Sequence, residues 1–368
     1  MSAKVLISGA GVGGSTLAHW LGRSGFEVTV VERAAGQRSS GNPVDVRGAA
    51  ADVVADMGVL PELRKAATNV ARISFVDANG RRRVSMPTKN SGVSADRDIE
   101  LARADLARIL LDAAREHAEM RWGDTITGLT PRDSGVAVTF ENSAPQTFDY
   151  VVGADGLHSN VRRLAFGPES QFVRHMGIYV ATLPVDRVYG DADEVVMYNM
   201  PGRSISVHPA GGKPLAAFMF RSPVVPGFDY RDIEQHRRLL LETFDGPAGI
   251  FGDLFDQVRA ADDLYFDAVS RVDLPRWSKG RITLLGDSAS SVSLFGDGSS
   301  LAIAAGHTLA EELGRTPGEP DIALRRYEQR HRRVAGPKQR GARAAGALIV
   351  PGSRLAILLR DTAARFVR

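Results

Sequence analysis

The chain has 368 residues, with 43% hydrophobic residues, 24% charged residues and a formal net charge of +3, the composition of an ordinary globular protein of one large or two modest domains. It has no cysteine, which removes any disulfide framework, thiolate metal site or cysteine nucleophile and makes a reducing compartment the expected setting. The closest pair of its eight histidines, His158 and His175, is 17 residues apart, so no helix face carries a zinc-binding histidine pair and a zinc hydrolase is not expected.

The segment up to Gly14 has one lysine ahead of an apolar run and a glycine run. It lacks the basic region, long apolar stretch and cleavage site of a signal peptide, so a cytoplasmic location is expected. No apolar segment approaches the roughly 20 residues that a membrane span requires. Forty of the 46 basic residues are arginines, spread among acids except near the C-terminus, and no nucleic-acid partner is expected. A P-loop lysine motif and a Gly-x-Ser-x-Gly elbow are both missing, which argues against nucleotide triphosphatases and serine hydrolases.

In chain order, residues 4–8 and 27–32 are aliphatic and β-branched runs separated by a helical pattern through Leu17, Trp20 and Leu21, a βαβ unit. Residues 36–48 are rich in Gly, Ser, Asn and Pro and read as a loop, followed by a helix over 50–57. A hairpin around Asn79-Gly80 is predicted over 73–84. A helix over 105–117 places Leu106, Ile109, Leu110 and Ala113 on one face, and 136–140 and 149–153 read as strands. From about 172 to 266 the texture changes to short alternating runs, 194–198, 204–208 and 215–221, with a helix near 233–244. Such a block predicts an antiparallel sheet set into an α/β framework. A strand over 281–285 and a long helix over 299–313 follow. Helices over 322–343 and 354–366 carry many arginines, which read first as solvated faces, with an anionic-partner surface as the alternative.

Gly9, Gly11 and Gly14 form Gly-x-Gly-x-x-Gly between the first strand and the first helix, with Val12 and Gly13 inside it. The first glycine makes the tight turn, the second leaves room for a pyrophosphate and the third lets helix and strand approach. Backbone N–H groups at the helix start then hold phosphate. Glu32 ends the second strand, 18 residues after Gly14, where a carboxylate can accept from an adenosine ribose. This fingerprint alone leaves FAD and NAD open, and Arg33 leaves NADP open.

Two later motifs carry a resemblance. Residues 149–163 run from a strand into Asp155-Gly156 and a helix start, and 282–289 run from a strand into Gly286-Asp287. In this order and separation, over nearly the whole chain, the sequence resembles the class A FAD-dependent, single-component flavoprotein monooxygenases, the family of para-hydroxybenzoate hydroxylase and the tetracycline-inactivating monooxygenases. The resemblance implies an α/β fold: a Rossmann-like FAD-binding domain of the GR2 type, an inserted, mostly antiparallel substrate sheet and C-terminal helices. Residues 1–70, 96–171 and 270–335 would hold FAD, 72–95 and 172–269 the substrate, and 336–368 would form a C-terminal helical segment.

By that resemblance Gly9, Gly11, Val12, Gly13, Gly14, Glu32 and Arg33 hold the ADP half of FAD, and Gly286 and Asp287 the ribityl and pyrophosphate side. Asp155 is implicated with FAD and NAD(P)H, and Arg103 lies near the phosphates and ribityl chain. Gly298, Ser299 and Ser300 start a helix beneath the flavin ring, and Arg47 lies near the reductant. The chain departs from the family in the loop after Asp287, which lacks the usual prolines and is about one residue shorter. The implied activity is hydroxylation of an aromatic or polycyclic small molecule with NAD(P)H and O2 through a flavin C4a-hydroperoxide, by a monomer or homodimer. Met197, Tyr198, His208, Phe218, Phe220 and Phe295 are the substrate-lining candidates. The altered loop keeps open an FAD-dependent dehydrogenase, reductase or isomerase without oxygen insertion. A plain NAD(P) dehydrogenase would leave Gly286-Asp287 unexplained, and a non-catalytic flavin-binding protein would consume no NAD(P)H.

Overall fold

The computed structural model describes residues 2–37, 42–88, 98–210, 213–246, 248–262, 264–291 and 297–366. A six-stranded sheet has the order Ser278–Lys279, Ile282–Leu284, Tyr150–Gly153, Lys4–Ser8, Glu27–Glu32, Glu119–Trp122. It is parallel except at the short first pair. Its central strands are aliphatic and buried along nearly their whole length, as strands covered on both faces must be. Helix Val12–Arg23 packs between Arg103–Arg115 and Asp297–Arg315. A three-stranded antiparallel sheet, Ile126–Arg132, Gly135–Phe140 and Gln146–Phe148, adds Val136, Val138, Phe140 and Phe148 to the same core. The helices approach closely at Gly306, where a Cβ would stand 3.0 Å from the Gly13 carbonyl oxygen and from the Leu17 amide nitrogen.

The second sheet has seven strands in the order Tyr265–Val272, Val173–Pro184, Leu215–Arg221, Arg203–His208, Glu194–Met200, Arg72–Val76, Arg82–Pro87. Only the Glu194–Met200 and Arg72–Val76 pair is parallel. The expected hairpin around Asn79-Gly80 is the outermost pair. Period-two alternation gives this sheet two different faces. Tyr179, Ile205, Val207, Phe218 and Phe220 pack on Leu240, Phe244, Phe251, Leu254 and Val258 of helices Ile233–Thr243 and Leu254–Ala260 and the short turn between them. The opposite face carries Val180, Met197, His208, Met219 and Tyr265.

Three sequence expectations change. The stretch 36–48 is not all loop: Pro43–Val46 is a strand paired antiparallel with Ile99–Ala102, because Val44 and Val46 join Ile99 and Leu101 in a local core. Phe218 and Phe220 do not line a substrate cavity; both are buried in the helix-backed core. Tyr198 packs partly buried against that core as well. Each sits on the strand register that points away from the first sheet. The expected junction at 335/336 falls inside one continuous helix, Pro320–Ile349. A break at Val350–Ser353 then leads to the last helix, Arg354–Ala364.

Phe218→Ala is expected to lower stability by about 3–5 kcal/mol through lost burial and a residual cavity. Denaturant unfolding checks this, and the substrate KM of the folded variant should stay near the wild-type value because the ring faces away from the site.

Candidate active site

The site grows from the carboxyl ends of adjacent parallel strands, where open α/β sheets leave a crevice. Lys4–Ser8 ends in Gly9, whose φ of +105° and whose spacing, a notional Cβ 2.6 Å from the Ala154 carbonyl oxygen, both require glycine. Gly14 packs tighter still, since a Cβ there would overlap the Gly9 carbonyl oxygen. Gly11 differs: a Cβ would meet nothing within 4 Å, so its bare backbone borders open space. Gly11 is also the N-cap of Val12–Arg23, and that helix has no side-chain cap and no acid in its first turn. The amide groups at this helix start are available to a phosphate. On the next strand, Glu32 accepts backbone N–H groups from Ala10 at 3.0 Å and Ala34 at 2.9 Å. It braces the glycine turn and retains acceptor capacity for a ribose. Arg33 is exposed beside it.

Tyr150–Gly153 lies between Lys4–Ser8 and Ile282–Leu284, in register Leu6↔Val151 and Val151↔Ile282. The Asp155 turn and the Gly286-Asp287 turn therefore stand side by side next to the glycine loop. Asp155 accepts from Ser159 Oγ at 2.5 Å and from the Val161 amide at 3.0 Å, so it organises the start of helix Asn160–Ala165. Gly286 has φ +67° and caps the short helix Asp287–Ser290. Arg162, fully buried, ties the two turns together by donating to the Ser288 carbonyl at 3.0 Å and the Leu157 carbonyl at 2.5 Å. Burial raises the Asp155 carboxyl, and it raises that of Asp287 despite the opposing field of Arg103.

The antiparallel sheet approaches this edge at two polar bridges. His158, in the Asp155 turn, meets Asp267 of strand Tyr265–Val272 at 3.3 Å and Glu169 at 3.0 Å, and it stacks on Tyr230 with ring centroids 3.7 Å apart. Burial opposes its charge, but hydrogen bonds to the two carboxylates outweigh that and lift its pKa to about 9. At the other bridge the Ala210 amide donates to His208 Nδ1, which leaves Nε2 to donate to Glu100 at 3.0 Å, and Thr68 Oγ1 donates to the same carboxylate at 2.5 Å. Burial works against the Glu100 charge, yet these bonds hold its carboxyl below the usual range. Nearby, Ser300 at the start of helix Asp297–Arg315 accepts from the Arg47 amide at 3.0 Å and donates to the Asp45 carbonyl at 2.8 Å. Arg47 reaches Asp45 at 2.8 Å, and burial pushes the Asp45 carboxyl up to about 6. Tyr265 points from the antiparallel sheet into the same field; burial, Asp267 and Asp287 push its hydroxyl up to about 12.

Of the residues singled out in the sequence, Gly9, Gly11, Val12, Gly13, Gly14, Glu32, Asp155, Gly286 and Asp287 lie along one edge. Gly298, Ser299 and Ser300 open the helix beside it, and Arg103 opens helix Arg103–Arg115 within electrostatic reach of Asp287. Met197 and His208 lie on the face of the antiparallel sheet turned from the helix-backed core, whereas Tyr198, Phe218 and Phe220 do not. Phe295 lies outside the described residues. Arg162, Glu100, Tyr265 and Asp267 went unread. A buried Arg162 is indistinguishable in sequence from its neighbour Arg163, and Glu100 sits in a four-residue strand too short to signal itself.

This geometry is tested in two ways, by FAD retention in two variants and by the pH dependence of stability in a third. Gly11→Val fills open space at an ordinary φ of −75°, so the variant should keep wild-type circular dichroism while losing FAD; Asp287→Ala should weaken FAD about 5–150-fold, the equivalent of roughly 1–3 kcal/mol. Equilibrium dialysis with absorbance of the bound flavin reads both. The second concerns His158, whose folded pKa lies above its ordinary 6.5: its stabilising contribution is complete below pH 6.5 and is lost as pH rises through about 9. Wild type should therefore lose roughly 1–3 kcal/mol relative to His158→Gln across that window, measured by denaturant unfolding at each pH.

The family model described as FAD binding domain matches residues 2–337. An uncharacterized protein of Mycobacterium tuberculosis is 37% identical over 336 residues, covering 88% of each chain. A flavin-dependent monooxygenase of Legionella longbeachae is 30% identical over 327 residues, covering 88% of this chain and 84% of the relative. Among solved structures, the tetracycline destructase Tet(51) superposes with a TM-score of 0.85 at 28% identity, covering 99% of this chain and 96% of that one. A family model over residues 2–337 and relatives at 30–37% identity along most of both chains place the chain in the FAD-binding-domain family, as a flavin-dependent monooxygenase.

Proposed function

We propose that the enzyme uses NAD(P)H and O2 to hydroxylate an aromatic or polycyclic small molecule held between the edge of the parallel sheet and the open face of the antiparallel one. The observation that carries this reading is the convergence of the Asp287 turn, Arg103 and Tyr265, which brings the dinucleotide edge against the sheet bearing Met197 and His208. When bound, FAD supplies the redox chemistry: two electrons from the reduced nicotinamide and O2 yield one oxygen atom in the product and one in water. The chain's own residues bind and position. Amides at the start of Val12–Arg23 take the phosphates, Glu32 takes the ribose and Asp287 takes the ribityl hydroxyls, which need an acceptor kept clear of phosphate charge. The cradle draws on residues 1–70, 96–171 and 270–335 and the substrate wall on 72–95 and 172–269, and the C-terminal helical segment continues from the cradle within the helix Pro320–Ile349 rather than from a junction at 335/336.

The substrate wall centres on the His208–Glu100 pair; on the same face Val180 and Met219 pack with Ile349 and Val350, and Met197 with Phe75, Val84 and Ala364, so C-terminal residues close one part of the face and leave a surface suited to a flat apolar ligand bearing a polar substituent. The 28% identity to a tetracycline destructase supports a polycyclic ligand. The hydrogen bond from the Arg47 amide to Ser300, at the start of the helix beside the flavin site, supports Arg47 as the residue that meets the reductant. Incubating the FAD-loaded enzyme with NADPH or NADH, O2 and a panel of phenols and polyketides should give substrate-stimulated nicotinamide oxidation and a product heavier by one oxygen atom. Turnover with no such gain in mass would instead establish a dehydrogenase, reductase or isomerase.

A further inference from the structure

We propose that the outer face of the C-terminal helix Arg354–Ala364 docks on an anionic phospholipid surface. Single exposed leucines are ordinary on a protein, whereas a contiguous set is not. Every exposed leucine and phenylalanine among the described residues lies between 348 and 366: Leu348, Leu355, Leu358, Leu359 and Phe366, at 57–83% exposure. On the helix, Leu355, Leu358, Leu359 and Thr362 follow the i, i+3, i+4, i+7 spacing of one continuous stripe, and Phe366, in the turn just after it, falls at i+11.

The inner face of the same helix is already occupied. Ala364 packs with Phe75 and Val84 of the antiparallel sheet. Arg360 bonds Asp361 and the Asn199 side chain at 2.6 Å and lies 3.8 Å over the Phe75 ring. The stripe is therefore held outward by a fixed helix about 16 Å long, the geometry of a segment that lies in a bilayer interface.

Charge identifies the occupant. From residue 329 to the end, the chain carries ten Lys and Arg, of which Arg330, Arg332, Lys338 and Arg360 pair with carboxylates, and one acid, Asp361, which is committed to Arg360. Arg340, Arg343, Arg354 and Arg365 are exposed, and no carboxylate among the described residues pairs with them. A second copy docked on this stripe about a two-fold axis would bring arginine-bearing helix ends together. An anionic headgroup layer complements the arginines while the acyl boundary takes the leucines. No single helix among the described residues is long and apolar enough to cross a membrane, and Pro320–Ile349 with Arg354–Ala364, which pass that test only as a pair, are bent by 102°; the proposed contact is peripheral.

Flotation of the FAD-loaded full chain with phosphatidylcholine vesicles, with and without about a third phosphatidylglycerol, tests this. The expected result is at least tenfold more protein on the anionic vesicles, most of it released at about 0.5 M salt. Leu355→Ser/Leu359→Ser/Phe366→Ser should lower binding at least tenfold with unchanged FAD content and thermal midpoint, and Arg354→Glu/Arg365→Glu should abolish the preference for anionic lipid. The proposal is overturned if the serine variant floats like wild type or if both vesicle types bind equally. It is overturned as well if light scattering reveals a dimer that the serine variant dissolves while neither protein binds vesicles.

Discussion

The parallel pairing of Tyr150–Gly153 with Lys4–Ser8 on one side and Ile282–Leu284 on the other is the constraint on which the site depends. It sets three turns from distant parts of the chain in a row: the glycine loop, the Asp155 turn and the Gly286-Asp287 turn. Pairing alone fixes only where the strands end, and the orientation of the turns comes from buried polar bonds. Arg162 locks two of them together through the carbonyls of Leu157 and Ser288, and Glu32 braces the third from the neighbouring strand. Removing a partner from such bonds leaves buried groups unsatisfied, which costs more than the bond itself contributes.

The antiparallel sheet depends on that edge in turn. One of its faces is closed by the aromatic core beneath helices Ile233–Thr243 and Leu254–Ala260, so only the other can serve a ligand. His158–Asp267 and Glu100–His208 fasten this face to the cofactor layer at two points. Both bridges pair histidine with carboxylate in partly dry surroundings, where charge is maintained by direct hydrogen bonding against the cost of burial. The face so fastened carries apolar Val180, Met197 and Met219 and, besides its two attachments, the phenol of Tyr265.

Much of this was legible in the sequence. The βαβ unit, the glycine fingerprint, the hairpin at Asn79-Gly80, the helix over 105–117 and the acidic turns each have local causes, in periodicity or turn chemistry, that survive in any context. The strand Pro43–Val46 was missed because its valines sit among loop-forming residues, and its partner Ile99–Ala102 is more than fifty positions away. Phe218 and Phe220 were misplaced for a related reason. An alternating strand announces that it has two faces without saying which one the helices will cover.

By itself the sequence determined the glycine loop and the acidic turns, because a glycine forced by a close backbone approach or a positive φ leaves its mark at one position, and the order of those motifs carried the resemblance that named the cofactor class. Only the tertiary structure decided which aromatics are core, which arginine is buried and which histidines bridge the two sheets. Those properties belong to the packing of segments far apart along the chain, and the residue types involved are the same whether a side chain ends in the core, in the site or in solvent.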